Sequence, residues 1–135
     1  MEPSYLLDTN ICIYIRQHKP EPVLRRFREL RSGEVALSVI TYGELLYGAK
    51  KSKDSAVAIL RLTELAMLVP PLALPIAAGE SYGRIRSELE AKGEMIGNND
   101  LWIAAHAITA SLILVTNNQR EFHRVAGLKT ENWVI

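Results

Sequence analysis

The sequence predicts an α/β fold in which a twisted, mainly parallel β-sheet is flanked by α-helices. Short apolar runs of strand length alternate along the chain with longer segments of helical periodicity. This alternation is typical of parallel strands joined by helical crossovers, which cover both faces of the sheet. The length of 135 residues is ordinary for one domain, so we expect a single domain over residues 1–135.

Composition and charge are typical of a globular protein and exclude few classes of function. Apolar residues make up 48% of the chain, charged residues 23%, and the formal net charge is +1. A nearly neutral total neither requires nor excludes a nucleic-acid partner. The single cysteine, Cys12, cannot form an intrachain disulfide, and no apolar run reaches the roughly 20 residues of a membrane span. We therefore expect a soluble cytoplasmic protein without membrane contact.

The first half of the chain predicts two strands and four helices. In order, these are a strand at 5–7, helices at 11–17 and 22–30, a strand at 35–38, a helix at 41–48 and a helix after Asp54. Thr41 and Glu44 have the spacing of a capping box, in which the two side chains satisfy backbone N–H groups at a helix start. The segment 67–69 fits either the end of the last helix or a third strand.

The second half continues the alternation after a connector that contains Pro70, Pro71 and Pro75, because proline is not tolerated inside a helix. The predicted elements are a helix at 76–92, a loop at 93–99, an apolar helix at 101–111, a strand at 112–116, a turn at 117–119, a short helix through Phe122 and a strand near 128–130. The strand at 112–116 has the clearest pattern of all.

Polar residues follow two of these strands directly. Asp8 comes after the first strand, and Asn117 and Asn118 come after the strand at 112–116. In open parallel sheets, ligands bind beyond the carboxyl ends of the strands. The topology therefore predicts a functional site at this edge of the sheet.

Acidic residues occur at four positions where core-facing residues are expected: Asp8, Glu44, Asp100 and Glu121. Converging carboxylates repel each other and raise one another's pKa, and a divalent cation removes that repulsion. Oxygen ligands suit Mg²⁺ or Mn²⁺. The three histidines are scattered singly, so no Cys and His cluster indicates zinc.

Each carboxylate also has a structural explanation when it is considered alone. Asp8 could cap a helix, Glu44 could belong to the capping box, and Asp100 could interact with the dipole of its helix. Glu121 could be a solvated helix residue. The set favours a site, because Asp8 and the turn at Asn117 both follow strands.

Four segments resemble, in order, the motifs of PIN domains and of bacterial VapC toxins. They are LLDTNI at 6–11, TYGELLYGA at 41–49, GNNDLWIAAHA at 97–107, and VTNNQREF at 115–122 followed by VAGL at 125–128 and ENW at 131–133. A DTN tripeptide alone is weak support. Four motifs in this order, covering nearly the whole chain, identify the sequence as a member of the PIN-domain family, similar to VapC-like toxin ribonucleases of type II toxin–antitoxin systems.

The resemblance implies a single PIN domain that cleaves RNA with Mg²⁺ or Mn²⁺. Asp8 and Asp100 would be the metal ligands, and Glu44 and Glu121 would complete the catalytic set. Glu44 would either complete the shell of a second ion or orient the attacking water. The resemblance further implies a VapB-like antitoxin whose tail occupies the acidic cleft, a homodimer, and tRNA as one candidate substrate.

One position departs from the pattern of the family. Many PIN domains have a fourth Asp in the turn after the last core strand, where this chain has Asn118. Glu121 could take over that role one helical turn later, while Asn118 could still offer a neutral oxygen. Thr9, Thr116 and Asn117 are expected to hold the carboxylates in place.

Basic clusters at Arg25, Arg26, Arg28 and Arg31, and at Lys50, Lys51 and Lys53, could bind the RNA backbone or be ordinary solvated surface. Two rival functions also remain open. A haloacid-dehalogenase-type phosphatase has a nucleophilic Asp after its first strand, but its second Asp is replaced here by Asn10. The other rival is a PIN-like module that binds RNA or protein without catalysis, which Asn118 favours.

Overall fold

The computed structural model describes residues 2–135 and contains five strands and seven helices in the predicted alternation. Their bounds, in chain order, are β1 Tyr5–Leu7, α1 Thr9–Gln17, α2 Glu21–Arg28, β2 Val35–Ser38, α3 Val39–Lys50, α4 Ser55–Leu68, β3 Pro71–Leu72, α5 Ala78–Lys92, α6 Asn98–Thr109, β4 Ile113–Val115, α7 Gln119–Phe122 and β5 Thr130–Glu131. Within residues 2–135, no helix is long and apolar enough to cross a membrane.

The five strands form one parallel sheet in the order β3-β2-β1-β4-β5. Strand β1 lies in the centre, where Leu6 is paired with Ala36 of β2 on one side and with Leu114 of β4 on the other. All carboxyl ends therefore lie at one edge of the sheet. This confirms the predicted fold class and the edge at which a site was expected.

Neighbouring residues of β1 belong to two different apolar cores, because successive side chains in a strand point to opposite faces of the sheet. Leu6 belongs to the core that is covered by α5 and α6, and Leu7 to the core that is covered by α1 and α4. The helices that carry most of the predicted acidic residues are thus anchored on both sides of a rigid central strand.

The capping box predicted at Thr41 is wrong. Ser38 is the N-cap of α3, and its Oγ accepts a hydrogen bond of 3.2 Å from the Ile40 N–H. Thr41 lies inside the helix, fully buried, and is the one residue within 2–135 with a buried side-chain oxygen that lacks a hydrogen-bond partner. Glu44 is consequently free of a capping role, which leaves its carboxylate available to the site.

The ambiguous segment 67–69 is resolved as helix. Helix α4 continues to Leu68, and the edge strand β3 lies within the proline-rich connector instead. Proline is compatible with an edge strand because no further strand needs its missing N–H. The Pro70 carbonyl even accepts a hydrogen bond of 3.1 Å from the Leu37 N–H of β2.

Helices α1 and α6 both begin earlier than the apolar pattern predicts. Helix α1 begins at Thr9 because Asp8 caps it and accepts a hydrogen bond of 2.8 Å from the Thr9 N–H. Helix α6 begins at Asn98, so Asp100 lies in its first turn. Both shifts move an acidic residue onto the junction between a strand or loop and a helix N-terminus, where the helix dipole favours negative charge.

Candidate active site

The four predicted acidic residues come from four different elements and meet at the carboxyl edge of the sheet. Asp8 follows β1, Glu44 lies in α3, Asp100 in α6 and Glu121 in α7. Their proximity is reflected in the pKa of Asp100, which is raised by burial and then by the charges of Asp8, Glu44 and Glu121. None of the ion pairs formed among residues 2–135 neutralises any of the four.

Asp8 is the most firmly held of these carboxylates. It is only 7% exposed, and each oxygen accepts a hydrogen bond of 2.8 Å, Oδ1 from the Thr9 N–H and Oδ2 from the Thr116 hydroxyl. Burial raises the pKa of Asp8, the two hydrogen bonds oppose this rise, and the nearby charge of Glu44 adds to it. Asp8 therefore presents a fixed and poorly solvated negative group.

The hydroxyl of Thr116 is itself oriented by the turn that follows β4. The Asn118 N–H donates to Thr116 Oγ1 at 2.9 Å, so the hydroxyl proton is directed to Asp8. The prediction that Thr116 holds a carboxylate in place is confirmed. Asn118 contributes to this arrangement through its backbone, which any residue except proline could supply.

Glu44 is positioned by side chains from two other elements. Its Oε1 accepts a hydrogen bond of 2.9 Å from the Thr9 hydroxyl, and its Oε2 accepts one of 3.4 Å from the Asn99 amide. The predicted role of Thr9 is confirmed. The sequence did not predict a role for Asn99, although its place directly before Asp100 was a usable signal.

Asp100 borders an open cleft of about 400 Å³ that is also lined by Glu44 and by Gly97, Asn98 and Asn99. Burial, followed by the repulsion from Asp8, Glu44 and Glu121, raises the pKa of Asp100 to about 6. The carboxylate of Asp100 thus lies where it is accessible from solvent and where the surrounding negative charge is uncompensated.

The donor set fits a hard divalent cation that keeps part of its water shell. Within residues 2–135, no three His, Cys, Asp or Glu side chains are close enough to hold one ion together. Mg²⁺ is commonly bound by one or two carboxylates together with water and substrate phosphate oxygens. Asp8 and Asp100 would be such carboxylates, because a bound cation would relieve the repulsion that contributes to the raised pKa of Asp100.

Asn117 does not hold a carboxylate, so the prediction for its side chain is wrong. Its amide donates to Tyr14 Oη at 3.5 Å and its oxygen accepts from the Asn132 amide at 3.4 Å. Asn117 thereby links the turn after β4 to α1 and to the C-terminal segment.

The basic cluster of α2 is partly occupied by protein contacts. Arg26 donates to Tyr5 Oη at 3.2 Å and pairs with Glu131 at 3.4 Å, and Arg28 pairs with Glu21 at 3.3 Å. Arg25 and the lysines at 50, 51 and 53 are exposed. Arg26 is thereby a structural residue, whereas these cations and Arg31, which is also exposed, keep both predicted alternatives, contact with an RNA backbone and ordinary solvated surface.

The fold and the site together define an α/β protein with an acidic centre at the carboxyl edge of its parallel sheet. A family model described as PIN domain matches residues 5–128. The chain belongs to the PIN-domain family, as its motifs predicted.

Named relatives match almost the whole chain. The chain is similar to "Ribonuclease VapC2" of Haemophilus influenzae, at 43% identity over 97% of this chain and 98% of the relative. It is also similar to "tRNA(fMet)-specific endonuclease VapC" of Shigella flexneri, at 42% identity over 96% of this chain and 98% of the relative.

Solved structures give the same relationship. The chain resembles the structure of DNA-bound VapBC from Salmonella typhimurium with a TM-score of 0.91 and 38% identity, over 98% of this chain and 99% of that one. It resembles VapBC2 from Rickettsia felis bound to a promoter DNA fragment with a TM-score of 0.89 and 39% identity, over 96% and 98% of the two chains.

Proposed function

We propose that this protein is the toxin of a VapBC-type toxin–antitoxin pair and that it is an endoribonuclease with its catalytic centre at Asp8, Glu44, Asp100 and Glu121. The relatives with this function align over nearly their full length. The observation that carries the assignment of the centre is the set of hydrogen bonds in which Thr9 links Asp8 to Glu44 and Asn99, the residue before Asp100, binds Glu44.

VapC ribonucleases of the PIN-domain family generally depend on a divalent metal ion. We propose Mg²⁺ or Mn²⁺ as that ion, since all donors at the site are carboxylate oxygens, and Asp8 and Asp100 as its protein ligands. When bound, the ion supplies charge neutralisation at the phosphate and increases the acidity of a water molecule.

The side chains of the chain would then divide the remaining tasks. Thr9 and Thr116 fix the two oxygens of Asp8, so this ligand needs little reorganisation when the ion and RNA bind. Glu44, held by Thr9 and Asn99, is placed to orient the attacking water or to accept its proton. Glu121 adds negative charge next to Asp100 and fills the fourth acidic position in place of Asn118.

The proposed substrate is RNA, with tRNA as the first candidate. Two relatives are named tRNA(fMet)-specific endonuclease VapC, one from Shigella flexneri at 42% identity and one from Salmonella typhimurium at 38%. The backbone of such an RNA would contact the exposed cations Arg25, Lys50, Lys51 and Lys53, so its affinity should decrease with rising salt.

The proposed protein partner is a VapB-like antitoxin. The solved structures that resemble this chain include VapBC complexes from three bacterial species. We propose that the tail of the antitoxin covers the acidic cleft and blocks access of RNA to Asp100. A homodimer, one PIN domain over residues 1–135 and a cytoplasmic location remain part of the proposal as predictions.

The test is cleavage of RNA by the purified protein. Labelled tRNA is incubated with the protein and Mg²⁺ or Mn²⁺, with and without a chelator, beside an Asp100→Asn variant. We expect discrete products from the native protein only, and only with the free ion. RNA binding without any cleavage by the native protein would instead favour the non-catalytic module.

A further inference from the structure

A second buried polar contact, separate from the acidic centre, links two of the helices that carry it. His106 of α6 is 1% exposed, and a hydrogen bond of 2.9 Å joins its Nδ1 to the Oγ of Ser38, which is itself fully buried. The two residues are 68 positions apart in sequence. His106 is therefore a buried histidine with a hydrogen-bond partner.

Ser38 lies at a junction of three site elements. It is the last residue of β2, it caps α3, and its Oγ also accepts from the Ile40 N–H at 3.2 Å. The parallel pairing sets Leu6 opposite Ala36, so Asp8 and Ser38, each two residues further along, leave the sheet at the same level. A group that fixes Ser38 therefore fixes the start of the Glu44 helix beside Asp8.

The rest of the inner face of α6 is apolar. Its buried residues apart from His106 are Leu101, Ile103, Ala104, Ala105 and Ala107. Apolar packing is non-directional, and small side chains such as alanine give a helix little resistance to rotation or sliding. A hydrogen bond, in contrast, requires a distance near 3 Å and a narrow range of angles.

We propose that His106 is a positioning residue of the active site, which acts through Ser38 to fix helix α6, and with it Asp100, relative to Asp8 and Glu44. His106 and Asp100 are six residues apart on one helix, about 9 Å along its axis, so a small rotation at His106 moves the Asp100 carboxylate directly. This inference rests on the proposed function.

A direct catalytic role for His106 does not fit the structure. The ring is almost fully buried and one of its nitrogens is engaged by Ser38, so it cannot contact RNA or the attacking water. Burial also lowers the pKa of His106, which keeps the ring neutral. A neutral ring in this place has a geometric role, as buried polar contacts elsewhere specify one arrangement among several apolar alternatives.

The test compares His106→Leu, which removes the hydrogen bond, with His106→Asn, whose amide reaches the position of Nδ1. For His106→Leu we expect kcat for RNA to fall about 10- to 100-fold and Mn²⁺ affinity, measured by calorimetric titration, to weaken to a similar degree. KM for RNA should change less than about twofold, because the RNA-facing cations are untouched. His106→Asn should recover most of the loss.

Leu62→Ala is the matched control, because Leu62 is 1% exposed and lies in α4, which carries none of the four acidic residues. It should lower the free energy of unfolding while leaving kcat and Mn²⁺ affinity unchanged below the melting temperature. Equal effects of His106→Leu and Leu62→Ala on kcat would overturn the proposal.

Ser38→Ala supplies an independent variant in case His106→Leu does not fold. Ser38→Ala alone should lower kcat and Mn²⁺ affinity as His106→Leu does, and the effects of these two substitutions should be less than additive in the double variant, because both remove one contact. Full additivity would contradict the proposed link. If the native protein neither cleaves RNA nor binds Mn²⁺, the proposed function itself fails, and that outcome is distinct from equal behaviour of the His106 and Leu62 variants.

Discussion

The acidic cleft and the edge strand β5 place a carboxylate in opposite electrostatic environments. At the edge, Glu131 of β5 pairs with Arg26 at 3.4 Å and accepts from the Trp133 indole N–H at 3.1 Å. The Arg26 guanidinium also lies over the rings of Tyr5 and Trp133, at 5.7 and 5.5 Å from their centroids. In the cleft, Asp100 has three carboxylates as neighbours, and no cationic side chain of residues 2–135 pairs with it.

The difference separates a structural charge from a functional one. At the edge, the chain supplies its own cation, so the carboxylate serves to hold the C-terminal segment against α2 and β1. In the cleft, the carboxylates have no cationic side chain as a partner among residues 2–135, so the compensating cation would be a bound metal ion. Each of the following experiments changes one member of this comparison.

The largest expected effect is on catalysis. Asp100→Asn should lower RNA cleavage at least about 100-fold, the upper end of what the loss of a supporting partner of a metal ligand costs. Glu131→Gln removes the same charge at the edge and should leave the rate within about twofold. Rates are measured on labelled tRNA at saturating Mn²⁺. Equal losses of cleavage rate in Asp100→Asn and Glu131→Gln would show that the rate depends on the net charge of the protein and not on the carboxylate in the cleft.

The next effect is stabilisation by the ion. Mn²⁺ at about 100 times its Kd should stabilise the native protein by about 2.7 kcal/mol, because it binds the folded state. Thermal unfolding with and without Mn²⁺ measures this shift. Glu131→Gln should retain the shift and Asp100→Asn should lose most of it. If Mn²⁺ stabilised Asp100→Asn as much as the native protein, the ion would have to bind at a site that does not include Asp100.

A smaller effect concerns the metal-free protein. Because folding raises the pKa of Asp100 to about 6, from 3.8, the ionised group destabilises the fold. Asp100→Asn should therefore increase the free energy of unfolding at pH 7 by about 1–3 kcal/mol, at 1.36 kcal/mol per unit of pKa. Urea titrations with a chelator present measure this gain.

The pH dependence of the free energy of unfolding tests the direction of the Asp100 pKa shift. The folded state holds the Asp100 proton more tightly than the unfolded chain, so stability from this group is complete below pH 3.8 and is lost as the pH rises through about 6. The native protein should lose stability over that interval, and Asp100→Asn should lose less. A difference that grows toward pH 4 would contradict the raised pKa.

The smallest effect is at the edge. Arg26→Ala removes the cation–π contacts and the pairing with Glu131, and should lower the free energy of unfolding by about 1 kcal/mol. Arg26→Lys should recover only part of this, because an ammonium group cannot reproduce the planar contacts of guanidinium. The rate of RNA cleavage below the melting temperature should not change; a large loss of rate would assign Arg26 to RNA binding.

Sequence patterns predicted the sheet well because apolar runs at strand length are a local signal. They were less reliable at helix starts, as Thr41 shows. Its spacing to Glu44 fits a capping box, yet Ser38 caps the helix, since the chain turns directly at the end of β2. The strand at Pro71–Leu72 was missed because its pairing depends on its neighbour β2 and not on its own residues.

The sequence predicted Thr9 and Thr116 as supporting partners of the acidic residues, but it did not predict which carboxylate each of them contacts, and it missed Asn99. Asp8 and Thr9 are adjacent, so their contact is local, whereas Thr116 reaches Asp8 across 108 residues. Asn99 supports Glu44 across 55 residues. Such pairs arise only when the parallel sheet brings the carboxyl ends of its strands to one edge, and a pattern of residue types along the chain does not contain that information.

The dual role of Asp8 makes loss of catalysis and loss of folding separable. The same carboxylate that would bind the ion also caps α1 through the Thr9 N–H. Asparagine is an equally good cap but lacks the charge, so Asp8→Asn would give an intact yet inert chain. Under the proposed function, such a chain would still bind the antitoxin in a cell and could thereby release active copies from inhibition.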